Sequence, residues 1–245
     1  MTLEGIKSLL KKNKFDFYFL NEVDSTMSKI KNLSSGNNIC LMANKQNQGI
    51  GRRGTKWISP KGNVYISLLL KNILDIKNHF LNTAYTSNII CEVIEKICKV
   101  ETKIKWPNDI IINDKKICGI ISEIYNKNNQ MLINTGFGIN IISSPEVNDY
   151  ETTYVNEYNM NINNITFVYN LMEEYLLNLN LLKNRSDIIM KKYKSRLKFL
   201  KENIKLKLDN NNIKEGILYD LNYDGSIIFK SNSVFKNIYN ASIVK

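Results

Sequence analysis

A chain of 245 residues, 43% hydrophobic and 23% charged, has the composition of a soluble globular protein, with room for one large domain or a large one plus a small one. No run approaches the ~18 apolar residues of a membrane span, and residues 1–20 lack the apolar region and small-residue cleavage site of a signal peptide, so an intracellular protein without membrane contact is expected. The formal charge of +11 suits a polyanion partner, yet the lysines are scattered and asparagine is used as freely, a compositional drift more than a dedicated nucleic-acid face.

Residues 4–12 carry Ile6, Leu9 and Leu10 at helical spacing, and 15–20 form an aromatic-rich strand. Asp24 or Ser25 then caps a helix that carries Ile30 and Leu33. Capping alone accounts for Asp24-Ser25-Thr26; the functional reading brings the two hydroxyls and free helix N–H groups to a polar ligand. Strands are predicted at 39–43 and 64–70, with a glycine-rich loop slung between them. Residues 79–99 form a long amphipathic helix with Leu81, Tyr85, Ile89, Val93 and Ile97 among its apolar positions.

Strand signals resume at 102–106, 109–112 and 116–125, with Asn113-Asp114 as the turn between the last two, and again at 131–137. The Asn-rich stretch 143–164 reads as loop or flexible segment, and helices return at 165–182 and 186–200. Short strands at 204–208, 213–219, 226–230 and 235–243, with turns at 210–212 and Asp224-Gly225, indicate a small antiparallel barrel beyond a boundary near Lys201.

The loop from Lys45 to Trp57 concentrates three glycines, two adjacent arginines and a tryptophan. Such glycines let the backbone approach a ligand, and arginine forks suit phosphate or carboxylate. Gly49-Ile50-Gly51-Arg52-Arg53-Gly54 matches the dinucleotide fingerprint, with Asp75 at about the expected distance, and 49–56 resembles a phosphate-binding P-loop. Both need a helix after the glycines, whereas 55–60 reads as loop and 64–70 as strand. An exposed basic loop without ligand is the simpler reading of this stretch alone. The four cysteines, Cys40, Cys91, Cys98 and Cys118, have no metal-ligand spacing, and Cys91 and Cys98 read as buried small hydrophobes. With His79 as the single histidine, any catalysis is expected to rest on lysine, arginine, carboxylates or backbone.

Lys105-Trp106-Pro107-Asn108-Asp109 forms a second anchor. Pro107 is expected to fix the backbone and stop strand pairing, presenting Lys105 and Asn108-Asp109 to one pocket; a plain turn with a solvated lysine is the structural alternative. Lys116-Ile117-Cys118-Gly119-Ile120 and Gly136-Phe137-Gly138-Ile139-Asn140 follow. In this order, with Asp24-Ser25-Thr26 and the Gln46–Trp57 loop, the motifs resemble the catalytic core of biotin–protein ligases (the biotin–[acetyl-CoA-carboxylase] ligase or holocarboxylase synthetase type). Each motif alone is weak, but the likeness runs from about Phe15 to the C-terminus.

The resemblance implies an α+β fold: a class II synthetase-like mixed sheet with flanking helices over 1–200, and a small SH3-like β-barrel over 201–245. It implies ATP-dependent attachment of biotin to a lysine of a biotin carboxyl carrier domain through biotinyl-5′-AMP, with biotin and ATP as substrates and Mg²⁺ to neutralise the triphosphate; no metal ligand is assigned in the protein. By the same likeness Lys105 and Arg52 are the catalytic cations. Lys105 would touch both the biotin carboxyl group and the α-phosphate, and Arg52 the phosphate side. Ser25, Thr26, Met27 and Gln46 would surround biotin, with Gly49, Ile50, Gly51, Arg52, Lys105 and Gly119. Arg52, Arg53, Trp57, Lys105, Asn108 and Asn140 would face ATP.

The glycine loop would act as a lid over a hydrolysable mixed anhydride. Three positions depart from the family pattern: Ile50 stands where many members have a basic residue, Thr55 where several have another arginine, and Met27 where a polar residue is frequent. The expected protein is the short form without the N-terminal DNA-binding domain, in the cytoplasm (or an organelle stroma if a targeting segment has been removed), without DNA or membrane partners, monomeric or homodimeric. A lipoate–protein ligase or octanoyl transferase and a non-catalytic basic binding module are the alternatives.

Overall fold

The computed structural model describes residues 1–71, 79–127, 129–148, 150–208 and 212–244. Asp75 and most of the 210–212 turn lie outside the described residues. The chain opens with helix α1 (Leu3–Lys12), whose Thr2 cap accepts from the Gly5 N–H at 3.1 Å and which buries Ile6 and Leu10. Strands β1 (Phe15–Leu20) and β2 (Asn38–Ala43) run parallel, connected through the short helix α2 (Thr26–Ile30), which Ser25 caps. Strand β3 (Val64–Lys71) is buried along nearly its whole length, as its run of Val, Tyr, Ile and Leu requires of a strand covered on both faces.

Helix α3 (His79–Cys98) precedes β4 (Lys103–Lys105), β5 (Asp109–Ile112), β6 (Lys115–Lys127) and β7 (Gln130–Ile139). The seven strands form one mixed sheet in the order β1-β2-β3-β7-β6-β5-β4. Asn113 and Asp114 both take positive φ, 48° and 67°, the signature of a tight hairpin turn between β5 and β6. Strand β4 ends at Lys105, and Pro107 interrupts the pairing as expected. It follows a cis peptide bond in the turn of the β4–β5 hairpin, where Lys105 pairs with Asp109. A missing N–H costs nothing at the tip of a turn.

Helices α4 (Asn164–Leu177), α5 (Leu181–Asn184) and α6 (Ser186–Arg196) replace the two longer helices expected. Residues 197–198 leave the helix because they serve β4: the Lys198 N–H donates to the Ile104 carbonyl at 2.8 Å. Stretch 143–164 is irregular but not loose. Val155 and Thr153 are fully buried, and the chain bridges Lys116 at Thr152.

The last part forms a five-stranded antiparallel sheet, β11-β10-β9-β8-β12, from β8 (Asn203–Leu208), β9 (Ile213–Leu221), β10 (Ile227–Ser231), β11 (Val234–Ile238) and β12 (Ala241–Val244). The single strand expected over 235–243 is thus two, and β12 crosses to pair with β8. Leu206, Leu218, Ile227 and Phe229 of this sheet share one apolar cluster with α3, α4 and the helix-covered face of the large sheet. The opposite face carries a small cluster of Ile30, Ile39, Leu41, Leu69 and Leu132, and otherwise lies open to form a cleft.

All four cysteines are buried and none is disulfide-bonded. Burial pushes the Cys91 thiol up to about 12 and Cys98 to about 11, and raises Cys40 and Cys118 further. Thiolate is the reactive form. The native protein should therefore resist alkylation at neutral pH and release four reactive thiols on denaturation, which a thiol-counting reagent would show; rapid native labelling would contradict this packing.

Candidate active site

The cleft has a volume of about 480 Å³ and draws its walls from the α2 start, the glycine loop, the β4–β5 hairpin, β6, β7 and β12. Its floor is built from Gly119 on β6 with Gly136 and Gly138 on β7; Gly119 and Gly138 are register partners. A β-carbon on Gly138 would stand 2.3 Å from Trp57 Nε1, and one on Gly119 2.9 Å from the same ring. The indole therefore lies flat on backbone, which is why these two strand positions carry no side chain.

The 49–57 loop closes on itself as a small flap. Gly51 N–H donates to the Thr55 carbonyl at 2.6 Å and Trp57 N–H to the Gly49 carbonyl at 2.8 Å, while Ile50 bridges Lys56. Gly49 is buried in the base of the flap, where a β-carbon would meet the Trp57 carbonyl at 2.4 Å. At one end of the cleft Gln46 Oε1 accepts from the Thr26 N–H at 2.8 Å and hydroxyl at 3.0 Å, and Gln46 Nε2 donates to Ser59 Oγ at 3.0 Å. Ser67 Oγ donates to Thr26 Oγ1 at 2.9 Å. These groups are held in place before any ligand arrives.

The charged end is also built from several elements. Lys116 Nζ sits 2.9 Å from Asp109 Oδ1, and lies 5.1 Å from the centre of the Trp57 ring and 4.9 Å from that of Tyr150. Its side chain is only 14% exposed, so the cation is held in a partly desolvated aromatic setting, where its field is strong. Arg52 from the flap and Lys105 from the end of β4 add two more cations to the lining. The hairpin carrying Lys105 is clamped from outside the large sheet. Trp106 Nε1 donates to the Gly225 carbonyl at 2.9 Å, and Tyr193 donates its hydroxyl to the Pro107 carbonyl at 2.8 Å.

Ser25, Thr26, Met27, Gln46, Ile50 and Gly51 all line the cleft, as do Arg52, Arg53, Trp57, Lys105, Asn108 and Gly119. Gly49 shapes the flap without lining the cleft. Asn140 lies instead in an adjoining pocket of about 120 Å³ shared with Trp57, Lys116, Pro145, Val147 and Tyr150. It donates Nδ2 to the Thr153 carbonyl at 3.1 Å, which leaves its buried Oδ1 without a donor among the described residues. Sequence reasoning quoted Lys116 within a motif but gave it no role, although a lysine opening a hairpin strand beside Asp109 was a readable signal. Tyr150, Ser242 and Ile243 carried none.

Replacing Gly138 by alanine should displace the Trp57 ring, at a cost of about 1–3 kcal/mol in stability. Trp57 is one of two tryptophans and the other, Trp106, is only 2% exposed. A red-shifted emission in Gly138→Ala would therefore report Trp57 leaving its glycine floor; an unchanged spectrum would refute the packing.

A sequence model of the biotin/lipoate A/B protein ligase family matches residues 20–140, the stretch that supplies most of the cleft. The chain is 32% identical over 133 residues to the bifunctional ligase/repressor BirA of Bacillus subtilis (strain 168), covering 54% of this chain and 40% of that protein. It is 28% identical over 141 residues to the biotin–[acetyl-CoA-carboxylase] ligase of Paracoccus denitrificans, covering 54% of this chain and 57% of that one. The matches thus span about two fifths to three fifths of the length of these relatives. The structure of a biotin protein ligase from Aquifex aeolicus in complex with biotin and ATP superposes with a TM-score of 0.78 at 25% identity, over 93% of this chain and 97% of that one. Residues 20–140 thus match the biotin/lipoate A/B protein ligase family in sequence, and the architecture is shared along nearly the whole chain with a biotin protein ligase.

Proposed function

We propose that the protein activates biotin with ATP and transfers it to a lysine of a biotin carboxyl carrier domain. The observation that carries this reading is a single cleft with a neutral hydrogen-bonding end at Thr26 and Gln46, a cationic end at Arg52, Lys105 and Lys116, and a side pocket at Asn140. A ureido ring on a carboxylate tail suits the first end, and a triphosphate the second. In the first step a biotin carboxylate oxygen attacks the α-phosphorus, and the bond to pyrophosphate breaks. In the second, the acceptor amine attacks the acyl carbon and AMP leaves with the bonding pair.

Both partners of the first step are anionic, so positive charge and positioning supply most of the catalysis. Lys105 and Arg52 take the roles the sequence suggested, and Lys116 joins them as a third cation facing the reacting atoms. The unpaired Asn140 Oδ1 is an acceptor suited to the exocyclic amine of adenine, with Trp57 as a flat neighbour. Mg²⁺ is expected to enter with the nucleotide. Asp109 is a carboxylate of the lining, and the described residues contain no cluster of three metal-ligating side chains. A hard cation held mainly by phosphate oxygens needs no more than this. The flap would close over the adenylate and exclude water. We also infer a carboxylase carrier domain as the partner, the cytoplasm as the compartment, and a unit boundary near Lys201.

Biotin-dependent exchange of labelled pyrophosphate into ATP tests the first half-reaction. Lys105→Ala and Lys116→Ala should each lower the exchange rate on the order of 10²–10³-fold, and GTP should replace ATP poorly. Exchange driven by lipoate or octanoate and not by biotin would move the protein to the lipoate side of the family; exchange with none of these acids would refute the ligase reading.

A further inference from the structure

The tip of the β4–β5 hairpin is held at three successive residues by groups outside it. Asn108 Nδ2 donates to the Ile120 carbonyl at 2.8 Å, and the Asn108 carbonyl accepts from the Ile120 N–H at 3.0 Å. Trp106 and Pro107 are bonded to Gly225 and Tyr193, and those two partners touch a common ring. A β-carbon on Gly225 would stand 2.3 Å from Phe80 Cδ2, and Phe80 packs edge-on against Tyr193 with ring centres 5.3 Å apart. Trp106, Gly225, Phe80, Tyr193 and Pro107 therefore form a closed circuit next to Lys105. Phe80, Trp106 and Tyr193 are all buried.

The member supplied by the small sheet is a heavily bonded turn. Between β9 and β10 the Asn222 N–H donates to the Ser226 carbonyl at 2.8 Å, and the Gly225 N–H to the Asn222 carbonyl at 3.1 Å. The N–H and hydroxyl of Ser226 both donate to Asp224 Oδ1, at 2.9 and 2.6 Å. Gly225 has a φ of +87°, and Phe80 fills the space a side chain would need, so the position requires glycine. The Gly225 carbonyl is thus aimed at the indole by bonds that do not involve the hairpin.

We propose that the β9–β10 turn is a positioning element for the phosphate end of the cleft. Directly through Trp106, and through Phe80 and Tyr193 to Pro107, it fixes the backbone from which Lys105 extends. This rests on the reading of the cleft as the site of adenylate formation. Lysine carries its charge on a flexible four-carbon stem, so the placement of its ammonium depends on how firmly its backbone is held. A displacement of about 1 Å at a reacting centre can cost on the order of 10²-fold in rate. Trp106 and Tyr193 act through Lys105 and not on the substrate.

The test is a double-variant cycle read in biotin-dependent pyrophosphate exchange. Tyr193→Phe removes one hydroxyl, and Trp106→Phe removes the indole N–H with part of the ring. Each should lower kcat about tenfold or more. KM for biotin, set at the Thr26 and Gln46 end, should change less than about twofold. In a Lys105→Ala background the same substitutions should cost almost nothing further, because the group they position is gone. Leu206→Ala, a core change on β8, should lower the melting temperature and leave kcat of the folded enzyme unaltered. Tyr193→Phe keeps the packing, so the cycle can be read even where Trp106→Phe does not fold. Losses that multiply with that of Lys105→Ala, an unchanged kcat in Tyr193→Phe, or an equal kcat loss in Leu206→Ala would each overturn the positioning role; wild-type exchange on biotin would leave the ligase reading standing. No biotin-dependent exchange in the wild type would overturn both.

Discussion

The cleft depends on a close approach between side chains and bare backbone. Trp57 comes from the flap and Met27 from α2, yet Trp57 lies directly on β6 and β7 and Met27 on β7, because Gly119, Gly136 and Gly138 offer no β-carbon. A sheet normally projects a side chain at every second residue of a face. At these three positions the side chains are supplied from above, by the flap and by α2, and the strands contribute a floor. The geometry makes the site's depth a property of the sheet and its shape a property of the loops.

The same floor organises the charge. Lys116 stays largely hidden because the Trp57 and Tyr150 rings both lie about 5 Å from its ammonium, so its pairing with Asp109 takes place partly out of bulk water. A cation in that setting is expensive to leave unpaired, which explains why a carboxylate accompanies it in a cleft otherwise suited to anions. An incoming phosphate would compete with Asp109 for Lys116, so the aspartate holds the lysine in position for a stronger anion.

Much of the architecture was legible in the sequence because its signals are local. The aromatic β1, the apolar β3, the Ser25 cap and the Asn113-Asp114 turn each follow from a few adjacent residues. The predictions that failed depend on distant partners. The helix expected to run to residue 200 stops at Arg196 because Leu197 and Lys198 bridge and bond Ile104. The last strand divides because β12 pairs with β8 and not with its neighbour in the chain. The apparently loose 143–164 stretch is pinned by Val155 and Thr152, neither of which stands out in an asparagine-rich run. Within the site, motif residues could be named in advance, whereas Tyr150 and Ser242 reach the cleft only through the fold.

Ser242 and Ile243 line the same cleft as Ser25. A ligand that fills the cleft meets residues near both ends of the described chain, with six of the seven strands of the large sheet between them in sequence. Its binding energy is therefore not confined to one lobe. By linkage, a ligand that recognises only the assembled form adds about 2.7 kcal/mol of stability at one hundred times its dissociation constant, and here that increment opposes loss of the C-terminal sheet as much as loss of the large one. Ligand supply would thus set the lifetime of the whole fold as well as the occupancy of a pocket, leaving a ligand-free chain the more exposed to proteolysis.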